Sequence, residues 1–77
     1  MARTNQSLGQ QIRRQREALG LTRLQLSQQL TPPVDPQTIY EWETDRYLPE
    51  ESRRANLAAV LGGRYEAPRF VFGDGKR

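Results

Sequence analysis

The sequence contains no cysteine and no histidine among its 77 residues. Disulfide bonds, Cys/His zinc sites and catalysis by a cysteine or histidine side chain are therefore excluded. No apolar run is long enough to span a bilayer, and residues 1–6 (MARTNQ) lack the apolar segment of a secretion signal. We therefore expect a cytoplasmic protein that has no metal, no cofactor and no membrane association.

A chain of this length forms one domain with a modest core. Its formal net charge is +3, and of the 12 basic residues only Lys76 is not an arginine. A basic excess favours a polyanionic partner, nucleic acid before an anionic membrane surface, although a solvated basic surface explains a mild excess equally well. The preference for arginine over lysine is typical of a bacterial or phage genome of high GC content.

Capping residues and apolar spacing predict four helices. The first begins at Ser7, which opens a capping box, and ends before Gly20. The second begins at Thr22 with the same motif and ends before Pro32-Pro33, which cannot continue a helix.

The third predicted helix opens with Asp35-Pro36, an N-cap followed by proline at the first helical position, and closes at Asp45 or Arg46. The fourth opens near Pro49 and stops at Gly62-Gly63. The apolar residues predicted to face the core are Leu8, Ile12, Leu19, Leu24, Leu26, Leu30, Ile39, Trp42, Leu57, Ala58, Val60 and Leu61.

The second and third helices, each capped and joined by a short turn, have the layout of a helix-turn-helix unit. Five strings follow one another along the chain: LGQQIRRQREALGLT, LSQQL, PQTIYEWE, YLP and NLAAVLG. In their order and spacing they resemble the Cro/C1-type (XRE-like) helix-turn-helix domain over Leu8–Gly62. The resemblance implies an all-α, compact, lambda-repressor-like domain of four to five helices over residues 7–63. Residues 1–6 would be an N-terminal arm, and residues 64–77 a short non-helical C-terminal tail.

The resemblance also implies a function. It indicates a regulator that binds double-stranded DNA specifically, as a repressor or Cro-like switch protein, and not an enzyme. We expect such a protein to be nucleoid-associated and to act as a homodimer on a palindromic operator, since one domain reads only a half-site. No small-molecule ligand is evident. The alternative is a protein-interaction module that has kept the fold and lost DNA binding, which the acidic residues 35–45 would favour.

Residue roles follow position by position from the resemblance. Arg16 and Glu43 correspond to an ion pair that holds the first helix to the recognition helix. The positions expected to read bases are Pro36, Gln37, Thr38 and Glu41. The positions expected to contact phosphates are Thr22, Arg23, Thr44 and Arg46, to which we add Tyr40 as either a phosphate contact or a half-buried packing residue.

The side-chain chemistry agrees with these roles in part. Gln37 can pair with adenine, Thr38 can offer its methyl group to thymine, and Glu41 can accept a hydrogen bond from cytosine N4. Arg23 and Arg46 suit phosphates. Gln37 can also be an ordinary solvated residue, and the Glu41 carboxylate is repelled by phosphates unless a base amine or an arginine meets it.

The sequence departs from the family pattern in three places. The turn Thr31–Val34 is about two residues longer than usual, which leaves the angle between the second and third helices open. Arg23 replaces a frequent glutamine, and Asp45 replaces a frequent glycine. The arginines whose role is open between a solvated face and contact with the DNA backbone are Arg13, Arg14, Arg53 and Arg54.

The tail holds three of the six aromatic residues: Tyr65, Phe70 and Phe72. The tail can fold back and enlarge the core, or Arg69–Phe72 can pair with a second copy across a two-fold axis. Alternatively it is disordered, with Lys76-Arg77 adding phosphate affinity.

Overall fold

The computed structural model describes residues 7–72, which fold as four helices followed by a two-stranded hairpin. The elements are α1 (Leu8–Ala18), α2 (Arg23–Gln29), α3 (Pro36–Glu43), α4 (Glu51–Val60), β1 (Gly63–Glu66) and β2 (Arg69–Phe72). The mostly helical, compact fold is confirmed. The proposed N-terminal arm, residues 1–6, and Lys76-Arg77 lie outside the described residues. Within the described part of the chain, no helix is long and apolar enough to cross a membrane.

The helix starts follow the predicted capping residues. The Ser7 hydroxyl accepts from Gln10 N at 3.1 Å, and the Gln10 side chain accepts from Ser7 N, which completes a capping box. Thr22 and Gln25 form the same motif at the start of α2. Asp35 is the N-cap of α3 by position, but its side chain makes no capping hydrogen bond.

The end of α3 and the start of α4 differ from prediction. The third helix ends at Glu43, before the predicted Asp45 or Arg46, because Asp45 has a φ of 61° and reverses the chain there. The fourth begins at Glu51 with Glu50 as its N-cap, so Pro49 lies just before the helix and not in its first turn.

The core is formed by Ile12, Leu26, Leu30, Ile39, Trp42, Leu57, Ala58, Leu61 and Phe70. Two residues expected there are exposed: Leu19 by 48% and Leu24 by 52%. Leu24 lies two residues before the buried Leu26, about 200° away around the helix, so it points outward. Leu19 is the residue that follows the last helical residue of α1, just before the chain turns at Gly20, whose φ is 73°.

The hairpin belongs to the same core. In its register Tyr65 lies opposite Phe70, and the side chain of Phe70 is buried against the helices. Phe70 N also donates to Gln11 Oε1 at 2.9 Å, which fastens β2 to α1. Of the three accounts of the tail, folding back onto the core is therefore the one that residues 63–72 follow, and β2 pairs with β1 of its own chain.

Candidate nucleic-acid interface

The third helix has one buried side and one outward side. Its buried side chains are Ile39, Trp42 and Glu43. Among the predicted base-reading positions, Gln37 is fully on the outward side, whereas Pro36, Thr38 and Glu41 are half-buried. Tyr40 also lies on the outward side, exposed by 40%. The helix therefore offers a polar surface with an aromatic ring to an external partner.

A buried charge network fixes the position of this helix. Arg16 Nε lies 2.6 Å from Glu43 Oε2, and Arg16 Nη2 lies 3.3 Å from Glu43 Oε1. The Glu43 side chain is only 1% exposed, so it depends on these donors in place of water. Arg16 Nη1 also donates to the Leu21 carbonyl at 2.8 Å. The Arg16–Glu43 pair expected from the sequence thus joins α1 to α3, and Arg16 also binds the loop just before α2.

Arg23 is the third member of this network. Its Nε donates to Glu43 Oε1 at 3.0 Å, and its guanidinium carbon lies 5.0 Å from the centroid of the Tyr40 ring. Such stacking of a cation on an aromatic face is attractive. Within residues 7–72, the hydrogen bonds of Arg23 use Nε alone, so both terminal nitrogens of this half-buried side chain remain as donors. Sequence reasoning assigned Arg23 to phosphates and missed its bond to Glu43.

Arg23 and Tyr40 also form part of an open cleft. It has a volume of about 360 Å³ and is lined by Arg23, Pro36, Gln37 and Tyr40. We call it the α2–α3 cleft, because its lining comes from the first residue of α2 and from three of the first five residues of α3. Four of the residues proposed from the sequence to meet DNA therefore meet at one place.

The loop after α3 contains two further predicted contact residues. The Thr44 hydroxyl donates to the Tyr40 carbonyl at 2.9 Å, and Arg46 N donates to the Glu41 carbonyl at 2.9 Å. The Arg46 side chain is exposed, as is Thr22 at the start of α2. These residues lie just before α2 and just after α3.

The long turn between α2 and α3 is tied to α4. Arg53 Nη1 donates to the Pro32 carbonyl at 2.6 Å, and Thr31 N donates to Asn56 Oδ1 at 2.8 Å. The role of Arg53 was left open between a solvated face and contact with the DNA backbone, and in the structure one of its terminal nitrogens binds the turn. The signal in the sequence was the spacing: Arg53 and Asn56 are three residues apart, and such residues share one face of a helix.

A helix-turn-helix family model matches residues 12–66, a span from the first core residue of α1 to the end of β1. The chain belongs to the Cro/C1-type helix-turn-helix family. This confirms the resemblance, and it makes the chain a DNA-binding helix-turn-helix regulator. No curated protein and no solved structure matches the chain.

The remaining arginines of this helix-turn-helix domain divide into internal and surface groups. Arg54 Nε donates to the Pro49 carbonyl at 2.9 Å, and its Nη1 donates to the Tyr65 hydroxyl at 3.1 Å, so it joins the loop before α4 to the hairpin. Arg13 is exposed, and its Nε lies 3.1 Å from Glu17 Oε2. Its hydrogen bond to Glu17, together with the charge of that carboxylate, raises the pKa of the Arg13 guanidinium. Arg14 is exposed.

Proposed function

We propose that the protein is a sequence-specific transcription regulator, a repressor or Cro-like switch protein, that inserts α3 into the major groove of duplex DNA. The observation that carries the proposal is the Arg16–Glu43–Arg23 network. It holds α3 against α1 and α2 while leaving the opposite side of α3 open. A helix that reads bases must be held in a defined orientation, because base-edge hydrogen bonds have strict geometry.

Base readout is assigned to Pro36, Gln37, Thr38 and Glu41. Gln37 is the most exposed of them and pairs best with the N6 and N7 atoms of adenine. Glu41 accepts a hydrogen bond from cytosine N4, and Thr38 contacts a thymine methyl group. Pro36 provides an apolar contact at the start of the helix.

Phosphate contacts are assigned to Thr22, Arg23, Tyr40, Thr44 and Arg46. The terminal nitrogens of Arg23, which make no hydrogen bond within residues 7–72, and the exposed guanidinium of Arg46 supply charge, and the hydroxyl groups supply hydrogen bonds. Because such contacts release counterions from DNA, binding should weaken steeply with salt. A homodimer on a palindromic operator is part of the proposal, since two half-sites give the affinity that one domain lacks.

The alternative of a protein-interaction module has less support than the sequence suggested. Its motivation was the acidic bias of residues 35–45. One of those carboxylates, Glu43, is buried and is paired with Arg16 and Arg23. The acidic charge offered to a partner is therefore smaller than the composition indicates.

The test is selection of binding sites from random duplex DNA, followed by anisotropy titrations of the selected duplex at several salt concentrations. Gln37→Ala should relax specificity at one base position. Arg46→Ala should weaken all sequences alike and lower the log–log salt slope by about 1. Arg64→Ala makes the same charge change on the hairpin, away from the α2–α3 unit, and should leave both quantities nearly unchanged. Absence of duplex affinity at low salt would contradict the proposal.

A further inference from the structure

We infer that the α2–α3 cleft binds the C5-methyl group of a pyrimidine in the major groove, so that the protein distinguishes a methylated pyrimidine from its unmethylated counterpart. The inference deepens the proposed function and rests on it. It concerns a subsite formed by Arg23, Pro36 and Tyr40, which is separate from the hydrogen-bonding role of Gln37.

The cleft offers apolar surface where it would face the major groove, most of whose exposed atoms are polar. The Pro36 ring and the exposed part of the Tyr40 ring are carbon surfaces, and the stacked plane of Arg23 lies beside them. In the major groove, the base edges present hydrogen-bonding atoms except for the methyl group of thymine. The carbon surface that Pro36 and Tyr40 contribute to the cleft, at the start of a groove-reading helix, therefore fits that methyl group and gains from removing it from water.

The cleft also exists before DNA binds. Arg23 is held by its bond to the buried Glu43, and Tyr40 lies under the guanidinium. Neither side chain has to become ordered when a base binds, so little of the binding free energy is lost to side-chain entropy. A subsite with fixed walls can discriminate a single methyl group, whereas a mobile tyrosine would adapt to its absence.

The fourth lining residue indicates which methylated pyrimidine fits best. Gln37 lies at the same cleft, and its amide suits adenine, the base that pairs with thymine. One A·T pair can then be read twice, through its adenine by Gln37 and through its thymine methyl by the cleft. 5-Methylcytosine carries the same methyl group and is the second source of this chemistry.

The experiment uses the duplex obtained by site selection, with each thymine replaced singly by deoxyuracil, which removes only the methyl group. Anisotropy titration of the full chain should find one thymine per half-site whose replacement weakens binding about fourfold, the value expected for one buried methyl group. Tyr40→Ala should abolish this preference. Tyr40→Phe keeps the ring and removes the hydroxyl, so the preference should remain.

A second arm places cytosine or 5-methylcytosine at that same position. Tighter binding of the methylated base supports recognition of the methyl group as such, and a preference confined to thymine supports recognition of the A·T pair. Pro36→Ala, which leaves the Arg23–Glu43 bond intact, should at least halve the methyl preference and gives a second measurement if Tyr40→Ala does not fold.

Two results would overturn the inference while the proposed function stands. One is tight, sequence-specific binding that no deoxyuracil replacement changes. The other is a methyl preference that is unchanged in folded Tyr40→Ala and Pro36→Ala, which would locate methyl recognition elsewhere. A chain that binds no duplex at all would overturn the proposed function as well.

Discussion

Asp45 and Ser7 are 38 residues apart in the sequence, yet Ser7 Oγ donates a hydrogen bond of 2.7 Å to Asp45 Oδ2. The other carboxylate oxygen of Asp45 accepts from Gly9 N at 3.2 Å. The loop that follows α3 therefore caps α1. Ser7 uses its hydroxyl twice, since it also accepts from Gln10 N. A residue that replaces a frequent glycine thus has a structural function of its own.

We expect Asp45→Ala to lower the free energy of unfolding by about 1–3 kcal/mol, because two hydrogen bonds to a carboxylate are lost and alanine is disfavoured at positive φ. Asp45→Asn keeps an oxygen acceptor and tolerates that backbone conformation, so it should cost less than half as much. Urea denaturation of the three proteins measures the difference. Equal stabilities for Asp45→Ala and the parent would show that these bonds contribute nothing.

Glu43→Gln should lower the free energy of unfolding more than most conservative changes in the chain. The amide has one acceptor oxygen in place of two, so Arg16 and Arg23 lose their shared carboxylate in a buried site. Breaking a buried pair in this way costs about 3–5 kcal/mol. The matched control is Glu66→Gln, whose partner Arg64 lies on the surface and whose loss should cost at most about 1 kcal/mol. Thermal unfolding followed by circular dichroism compares the two variants. Similar shifts in Tm would argue against a structural role for the network.

Gly9→Ala reverses the usual effect of removing a glycine from a helix. Alanine normally stabilises a helix interior relative to glycine by about 0.5–1 kcal/mol. At Gly9, however, the new Cβ would collide with the backbone carbonyl oxygen of Trp42 and would lie 2.7 Å from Asp45 Oδ1. We therefore expect a net loss of about 1–3 kcal/mol, measured by denaturant unfolding.

The control for Gly9→Ala is Ala55→Gly, at an exposed position of α4. It reports helix propensity alone and should cost about 0.5–1 kcal/mol. A stabilised Gly9→Ala protein would mean that α1 and α3 are farther apart than described.

The hydrogen bonds between α4 and the long turn should contribute to DNA binding as well as to stability. Asn56→Ala and Arg53→Met each remove one hydrogen bond to the turn backbone, at a cost of about 0.5–1.5 kcal/mol. Because the turn leads directly into α3, we expect each of these changes to lower affinity for the selected duplex more than Ser52→Ala, a change at an exposed neighbouring position on α4. Unchanged affinity in both variants would show that α3 is oriented without the turn.

The hairpin predicts a contrast between two neighbouring residues of β2. Phe70 is 6% exposed and lies 5.4 Å from the Tyr65 ring and 5.7 Å from the Phe72 ring, centroid to centroid. Phe70→Ala should therefore cost about 3–5 kcal/mol. Val71 points to the opposite face of the hairpin, and Val71→Ala should cost less than about 1 kcal/mol. If the two changes were equally mild, the hairpin would not belong to the core.

Local interactions explain what could be predicted from the sequence. The capping boxes at Ser7 and Thr22 involve residues three positions apart, and Pro36 restricts its own backbone, so the helix starts are encoded in short segments. Most of the core was also predicted, because helical spacing places Ile12, Leu57 and similar residues on one side. Leu24 was wrongly placed in the core, because it lies two residues before Leu26 and the same helical period directs it outward.

The candidate interface was predictable only in part. The outward position of Gln37 follows from the helical period, once Ile39 and Trp42 are taken as buried. The bond between Arg23 and Glu43, and the stacking of Arg23 on Tyr40, depend on the angle between α2 and α3. The sequence left that angle open at Pro32-Pro33.

The sequence alone therefore determined the family, the helical segments and most of the residues that face the core, since these depend on spacing and on local hydrogen bonds. Apart from the Arg16–Glu43 pair, only the tertiary structure decided the long-range partners of the polar side chains, since these depend on how the helices pack. Arg23, Arg53 and Asp45 all bind groups at least 20 residues away. Several charged or polar partners were available to each of them, and the packing of the helices selected among these.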